Sequence, residues 1–474
     1  MFTVAEILKA VGGRTERAGQ PERRICGVSI DSRVILHGQA FIAVKGENFD
    51  GHSFLKEASA GGAVCLIVSA GKRLSIPAGP AVIRVKDTVK ALADLAHFHR
   101  MRFDIPLIAV TGSNGKTTTK DMTARVLSSD YRVLKNEGTK NNHIGMPLAL
   151  LGLTAAHQAA VLELGSNHPG EIAYLAGICR PTIAVITNIG PSHLEHFGSL
   201  RGVLREKSSL LKFLRGPAIA LLNADDKMLS GAIKKRRVFS YGASSGADFL
   251  ASCIRNTGGG VEFLPGRGQK RKCRLKTVGT HNALNALAAA SVGRMLGISY
   301  PDICSRLNEF DFPAGRMKLL DKKEAAFIDD TYNSNPFSLN RALSALGGMP
   351  SQGRKIFVMG DMLELGPASE KFHCLAGEQA AGVCDVFIAV GNLSRSAAKA
   401  ALGAGLSADK VFCCEDAAQA GSILRGRIDI VRQDVVLVKG SRGMRMERVF
   451  EETRGTKHEA RGTQLQKQST DHSR

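Results

Sequence analysis

The apolar run Ile105–Val110 leads without a spacer into Thr111-Gly112-Ser113-Asn114-Gly115-Lys116-Thr117-Thr118-Thr119. A strand ending in such a turn, followed by the helical pattern of Asp121–Leu127, points to α/β architecture with parallel sheets. Two glycines let the backbone turn tightly enough for its N–H groups, and the positive end of the next helix, to face a phosphate. Lys116 is placed to reach β- and γ-phosphates, and the Thr117 hydroxyl to hold Mg²⁺. The general GxxxxGK[ST] pattern has glycine where this chain has Val110, so the loop is a shortened form. A ligand-free glycine turn is the competing explanation; the flanking strand and helix favour the phosphate.

The same alternation organises the rest of the chain, whose 474 residues suit about three domains. Residues 1–86 predict a small first domain, with strands at Ile25–Ile30, Ala40–Val44, Ala63–Val68 and Ala81–Val85. Residues 87–314 predict a central domain. It opens with a helix over Val89–Arg102, has strands at Ala159–Leu164, Thr182–Thr187 and Ala218–Leu222, and has an Ala-rich helix at Asn282–Met295. Its polar, basic zone 234–277 reads as a peripheral antiparallel insertion. Residues 315–453 predict a third domain with strands at Ala325–Ile328, Lys355–Met359, Val386–Val390, Lys410–Cys413 and Asp434–Val438. Residues 454–474 are polar and read as a disordered tail.

Charge narrows the partners without choosing one. The formal net charge of +21 favours nucleic acid, anionic lipid or phosphorylated small molecules. No stretch approaches the ~18 apolar residues of a membrane span, and the N-terminus lacks the pattern of a secretory signal. The ten cysteines are scattered without a CxxC pair, which suggests reduced thiols and a cytoplasmic location. A nucleic-acid-binding P-loop ATPase is the alternative from another class. Dispersed basic residues, 5% aromatics and no tryptophan speak against it, so neither nucleic acid nor membrane insertion is expected.

Two further residues stand where strand ends should present groups to a nucleotide. Glu163 closes an apolar run, and a carboxylate there suits Mg²⁺, which takes few protein oxygens; a solvated strand-end acid is the plainer reading. His193 follows the strand end Thr187-Asn188-Ile189-Gly190, although a lone histidine is more often structural. Spacing alone names neither substrate nor product.

Thr111–Thr119 resembles the TGSNGKTTT loop of the Mur ligases, ATP-dependent amide-forming enzymes of peptidoglycan assembly, whose own loop is the shortened form. Within that family, Glu163–Ile172, Gly360–Gly366 and Lys439-Gly440-Ser441-Arg442 resemble the D-alanyl-D-alanine-adding branch, and the likeness runs from about residue 25 to 449. The resemblance implies an α/β fold in three domains: a small N-terminal UDP-binding domain, a central P-loop ATPase-type parallel sheet and a Rossmann-like C-terminal domain that closes on ATP. It implies UDP-N-acetylmuramoyl-tripeptide and D-alanyl-D-alanine as small-molecule substrates of a monomer, joined through an acyl phosphate in cell-wall biogenesis.

The site residues implied by the resemblance are specific. Gly112, Ser113, Asn114, Gly115, Lys116, Thr117 and Thr118 hold ATP. Thr117 and Glu163 hold one Mg²⁺ and His193 a second, with Lys207, carbamylated, as a further metal ligand; Lys116, His193 and Lys207 serve catalysis. Asn282 matches an adenine contact, Arg316 a phosphate contact and Asp330 a ribose contact. Ser32 and Arg33 match pyrophosphate partners, Lys45 and Gly46 lie beside the uracil site, and Asn142 belongs to the central substrate loop. Asn333 and Asn335 match residues holding the peptide or dipeptide. An ordinary helix lysine, helix caps and turn-forming asparagines are the competing explanations. Folylpolyglutamate synthases, the superfamily alternative, show a GKGS-type loop where this chain has Gly115-Lys116-Thr117-Thr118. The Mur ligase adding the third residue carries an Asp-Asn-Pro-Arg selector absent here. No motif recognised in the sequence tells whether the tripeptide ends in meso-diaminopimelate or lysine.

Overall fold

Strands buried on both faces read as unbroken apolar runs rather than alternating ones, and the central strands of this chain are of that kind. The architecture is taken from a computed structural model, described for residues 2–453 except 18–19, 47–48, 215, 234–236, 258 and 322–324; the expected tail 454–474 lies outside the described residues. The chain divides into two units. The first holds residues up to Ser252 with Leu264–Cys273 and Leu284–Leu307, and the second holds Cys253–Phe263, Arg274–Ala283 and the chain from Asn308 on.

The first unit begins with helix α1 (Val4–Val11) and a five-stranded sheet. Its strands are β1 (Arg14–Arg17), β2 (Val28–Ser29), β3 (Ala40–Ile42), β4 (Cys65–Ser69) and β5 (Ala81–Val85), in the order β1-β5-β4-β3-β2. All neighbours are parallel except β1, which lies antiparallel on β5. The single strand expected over Ile25–Ile30 is two pieces. Arg24–Ile25 pairs with Phe2–Thr3, and Val28–Ser29 pairs with β3. Between them the Cys26 N–H is diverted to the Gly38 carbonyl, 3.0 Å away.

Helix α2 (Thr88–Arg100) starts at Asp87, whose carboxylate accepts from the N–H groups of Val89 and Lys90 at 2.8 and 3.0 Å. Ala91, Leu92, Leu95 and Ala96 form its buried stripe. After it come β6 (Leu107–Thr111), α3 (Lys116–Leu127), β7 (Val133–Lys135), α4 (Gly145–Leu150), β8 (Ala159–Glu163), α5 (Glu171–Cys179), β9 (Ile183–Ile186), α6 (Leu200–Ser208) and β10 (Ile219–Asn223). Helix α2 packs against α1, α4 and α5, and one continuous apolar core runs from Phe2 through α2 to Leu210.

Strands β11 (Val238–Gly242), β12 (Phe249–Thr257), β13 (Gly260–Pro265) and β14 (Cys273–Leu275) follow, before helix α7 (His281–Met295). The sheet order is β14-β13-β12-β11-β10-β9-β6-β8-β7, with parallel pairing from β7 to β12. Strand β12 of the basic zone pairs with β11, so the zone joins the edge of the main sheet instead of standing apart from it. Strand β6 lies between β8 and β9, so the loop after it opens between two neighbouring strand ends, where open α/β sheets bind ligands.

The second unit carries a six-stranded sheet of β15 (Lys318–Asp321), β16 (Ala326–Asp330), β17 (Lys355–Gly360), β18 (Val386–Val390), β19 (Val411–Cys414) and β20 (Val435–Lys439). The order is β15-β16-β20-β17-β18-β19, parallel except for β15 at the edge. Apolar cores cover both faces. One is built with helix α8 (Pro336–Gly347), and the other with Ala417–Ile423 and Arg448–Glu452. This is the doubly wound arrangement expected of a Rossmann-like domain.

Candidate active site

Gly112 leaves β6 with φ 143°, and a side chain there would collide with the Thr187 hydroxyl. The segment after β9 then pins the loop. Ser113 N–H donates to Asn188 O at 2.9 Å, Asn114 N–H to Asn188 Oδ1 at 3.0 Å, and Thr187 Oγ1 to Asn114 O at 2.6 Å. Ser113 Oγ donates to Gly190 O at 2.9 Å. Gly115, at φ 79°, caps α3 with no room for a Cβ beside Asn285 Oδ1. Helix α3 therefore begins at Lys116, five residues before the helical pattern becomes visible in the sequence. Thr117 and Thr118 are buried in its first turn. The Lys116 ammonium folds back over the loop, donating to Gly112 O at 2.9 Å and Ser113 O at 3.1 Å.

Opposite the loop stands Glu163, the last residue of β8 and only 1% exposed. Thr117 Oγ1 donates to its Oε2 at 2.6 Å, and Asn141 Nδ2 to its Oε1 at 2.7 Å. A hydroxyl paired with one carboxylate is an all-oxygen donor set. It suits Mg²⁺, which takes one or two protein ligands and completes its shell with phosphates and water. The pairing of Thr117 with Glu163 thus fits the ion.

Two basic groups complete this cluster. Lys207, on α6, is buried, donates to Ser166 Oγ at 2.7 Å, and lies 5.7 Å over the Phe197 ring. Burial, reinforced by the charge of Lys116, pulls its amine down to about 7, against the nearby carboxylates of Glu206, Glu171 and Glu163. His193 sits at φ 47°; burial and then the charges of Lys116, Lys207 and His196 lower its imidazole to about 4, so it is neutral at pH 7. Lys116, His193 and Lys207 therefore share one electrostatic neighbourhood.

Sequence reasoning passed over the supporting residues Asn136, Asn141, Ser166 and Glu206. Glu206 accepts from Gly170 N–H and Ile172 N–H, both at 2.7 Å, and so caps α5, where a negative charge is favoured. Its position next to Lys207 was the available signal.

On the first sheet, Ser32 and Arg33 lie in a short 3-10 turn. Arg33 grips Asp31 through Nε and Nη2 at 2.9 and 2.7 Å, which lowers the Asp31 carboxyl to about 2. Lys45 and Asp50 form an isolated antiparallel backbone bridge, Gly46 N–H donates to Phe49 O at 2.9 Å, and the Phe49 side chain is 74% exposed. Asn142 Oδ1 accepts from Gly145 N–H at 2.8 Å at the start of α4.

The remaining residues belong to the second unit. Asn282 is buried and donates to Thr277 Oγ1 and Val278 O at 3.2 and 3.0 Å. Arg316 stacks on Tyr332, 3.9 Å from the ring centroid. Asp330 Oδ2 accepts from Lys439 Nζ at 2.6 Å, and that ammonium also donates to Asn333 O at 2.9 Å. Asn335 caps α8 through Ser338 N–H at 2.8 Å, and Asn333 Oδ1 accepts from Ser334 N–H at 2.9 Å. The sequence reading named Lys439 only as the start of the Lys439–Arg442 motif and gave it no partner; it is the last residue of β20, one beyond the expected strand end at Val438.

Three family models match. They are the Mur ligase family catalytic domain at residues 24–100, the Mur ligase middle domain at 110–293, and the Mur ligase glutamate ligase domain at 315–442. The UDP-N-acetylmuramoyl-tripeptide–D-alanyl-D-alanine ligase of Escherichia coli (strain K12) is 36% identical over 457 residues, covering 94% of this chain and 97% of the relative. A crystal structure of MurF from Acinetobacter baumannii aligns with TM-score 0.84 and 32% identity, covering 95% of this chain and 98% of that one. MurF from Thermotoga maritima in complex with ADP aligns with TM-score 0.80 and 30% identity, covering 91% and 97%. With its loop, its strand-end carboxylate and these likenesses across nearly its whole length, the chain belongs to the Mur ligase family, in the branch of the D-alanyl-D-alanine-adding enzymes.

Proposed function

We infer that the protein is an ATP-dependent ligase of peptidoglycan precursor synthesis, joining D-alanyl-D-alanine to UDP-N-acetylmuramoyl-tripeptide. The observation that carries this reading is the loop Gly112–Thr118 set against Glu163, in a chain 36% identical to an enzyme of that name. In the proposed reaction the tripeptide's terminal carboxylate attacks the γ-phosphorus of ATP, and ADP leaves. The dipeptide amine then attacks the acyl phosphate, and inorganic phosphate leaves as the amide forms. Both steps concentrate negative charge, so the protein's contribution is positioning and electrostatic stabilisation.

Loop N–H groups and Lys116 would bind the phosphates, with the Lys116 ammonium exchanging its loop carbonyls for phosphate oxygens. Thr117 and Glu163 would hold Mg²⁺, which when bound would supply charge neutralisation at the transferring phosphoryl group. A second ion near neutral His193 belongs to the same proposal. An amine lowered to about 7 is substantially unprotonated at neutral pH, which supports carbamylation of Lys207. In that reaction the neutral amine adds to CO₂ and releases a proton, leaving a carbamate anion within the field of Lys116. Ser32, Arg33, Lys45, Gly46 and Asn142 are assigned to the UDP-linked substrate. Asn282, Arg316 and Asp330 are assigned to the nucleotide, and Asn333 and Asn335 to the peptide or dipeptide. Domain bounds of 1–86, 87–314 and 315–453, a monomeric state and a cytoplasmic location complete the reading; ten free thiols are in keeping with a reducing compartment.

The test is phosphate release with each of ATP, Mg²⁺, UDP-N-acetylmuramoyl-tripeptide and D-alanyl-D-alanine omitted in turn. Turnover that requires all four and yields the UDP-linked pentapeptide supports the reading, and turnover indifferent to the dipeptide refutes it.

A further inference from the structure

The ladder between β7 and β8 stops early. Main-chain pairing ends at Lys135 against Val161, two residues before Glu163. Where the β7 backbone turns away, the side chain of the next residue takes over. Asn136 Oδ1 accepts from Glu163 N–H at 2.9 Å, and Asn136 Nδ2 donates to Glu163 O at 3.1 Å. One amide thus clasps both main-chain polar groups of the residue whose carboxylate faces the loop, as a neighbouring strand would. Its second N–H donates to Lys140 O at 2.9 Å, and Asn136 is completely buried.

Asn136 is also tied to the phosphate-loop helix. Lys120, one turn beyond Thr117 on α3, is completely buried, and its ammonium donates to the Asn136 carbonyl at 2.8 Å. The Thr117 hydroxyl and the Glu163 carboxylate, which touch directly at 2.6 Å, are therefore also joined through Lys120 and Asn136. A buried lysine and a buried asparagine with these bonds satisfied form a fixed link, since breaking any one strands a polar group away from water.

We propose that Asn136 is a positioning residue of the ligase reaction: its amide fixes the backbone of Glu163, so that the carboxylate is held facing the Thr117 hydroxyl, where the two can share one divalent cation. This rests on the reading of Thr117 and Glu163 as Mg²⁺ ligands. Partners that orient a ligating carboxylate typically change metal affinity by about 10–100-fold when removed, whereas a residue that merely closes a sheet edge changes stability alone.

The experiment measures ADP binding to the full chain by calorimetry across a Mg²⁺ titration, with an EDTA arm, alongside thermal unfolding and kcat at saturating Mg²⁺. For Asn136→Ala, the Mg²⁺ concentration giving half of the metal-dependent gain in ADP affinity should rise about tenfold. Binding in EDTA should be unchanged, and saturating Mg²⁺ should restore kcat to within a few-fold. Asn136→Ser retains one hydrogen-bonding group and serves if the alanine variant does not fold; a smaller shift in the same direction is expected. A folded variant with unaltered Mg²⁺ dependence overturns the proposal, whatever its melting temperature. Glu163→Gln separates the two levels. If it shifts the Mg²⁺ dependence and the Asn136 variants do not, only the positioning role falls. If it shifts nothing, the metal-ligand reading fails and takes the positioning role with it.

Discussion

Lys207 shows how a site residue can work against the fold that holds it. Its amine is lowered from 10.5 to about 7, first by burial and then by Lys116. Between those values the unfolded chain keeps a proton that the folded protein has released. Stability therefore rises with pH through that window and is lost as pH falls through about 7. Lys207→Met removes the buried charge. Its melting temperature should exceed that of the parent at pH 6 and approach it at pH 9, read by circular dichroism, while ligation is lost. Lys116→Ala tests the other cation. Acyl-phosphate formation should drop by about 10²–10³-fold, while calorimetric binding of the UDP-linked substrate is retained, since that substrate is assigned to the first sheet. The residues named from the sequence were those whose type announces a chemistry, such as Lys116, Thr117 and Glu163. Asn136 and Ser166 carry no such announcement. An asparagine in a Gly- and Asn-rich stretch reads as a turn until its two bonds to Glu163 are seen.

Among the elements, β6 was legible to within a residue or two because it is an unbroken apolar run. The start of α3 was not, because Thr117-Thr118-Thr119 is a β-branched run of modest helix propensity. What begins the helix there is the left-handed turn at Gly115, a tertiary device held against Asn285. Gly112→Ala should accordingly abolish ADP binding through the clash with Thr187, checked by calorimetry on a variant whose circular dichroism is near that of the parent. Asn335 offers a different test, since its capping box already accounts for its side chain. Asn335→Ala should cost about 1 kcal/mol of stability in denaturant titration. An additional tenfold rise in the dipeptide KM is the outcome expected if it also holds ligand, and an unchanged KM confines it to capping.

Over the whole molecule, the parallel sheets followed from the alternation of apolar runs and helical patterns, and the Rossmann-like arrangement from the resemblance to the Mur ligases. The placement of the basic zone did not follow from it. Its strands carry a peripheral composition yet extend the nine-stranded sheet, because hydrogen bonding along a sheet edge tolerates polar side chains on exposed faces. The charge of +21 belongs to this scale as well. Attraction of a polyanionic UDP-linked substrate by such a field weakens with screening, so its KM should rise steadily between low and physiological salt in steady-state kinetics, while that of the zwitterionic dipeptide changes little.

Helix α2 turns one side toward α1 and another toward α4 and α5, within a single apolar interior. Grafting the N-terminal segment of a relative onto the rest of this chain would therefore mismatch one flank of that shared beam wherever the splice is made. A chimera spliced after Lys86 keeps the α4 and α5 flank, and one spliced after Arg100 keeps the α1 flank. Exchange of N-terminal segments between such enzymes needs compensating changes along Thr88–Arg100 rather than a better linker.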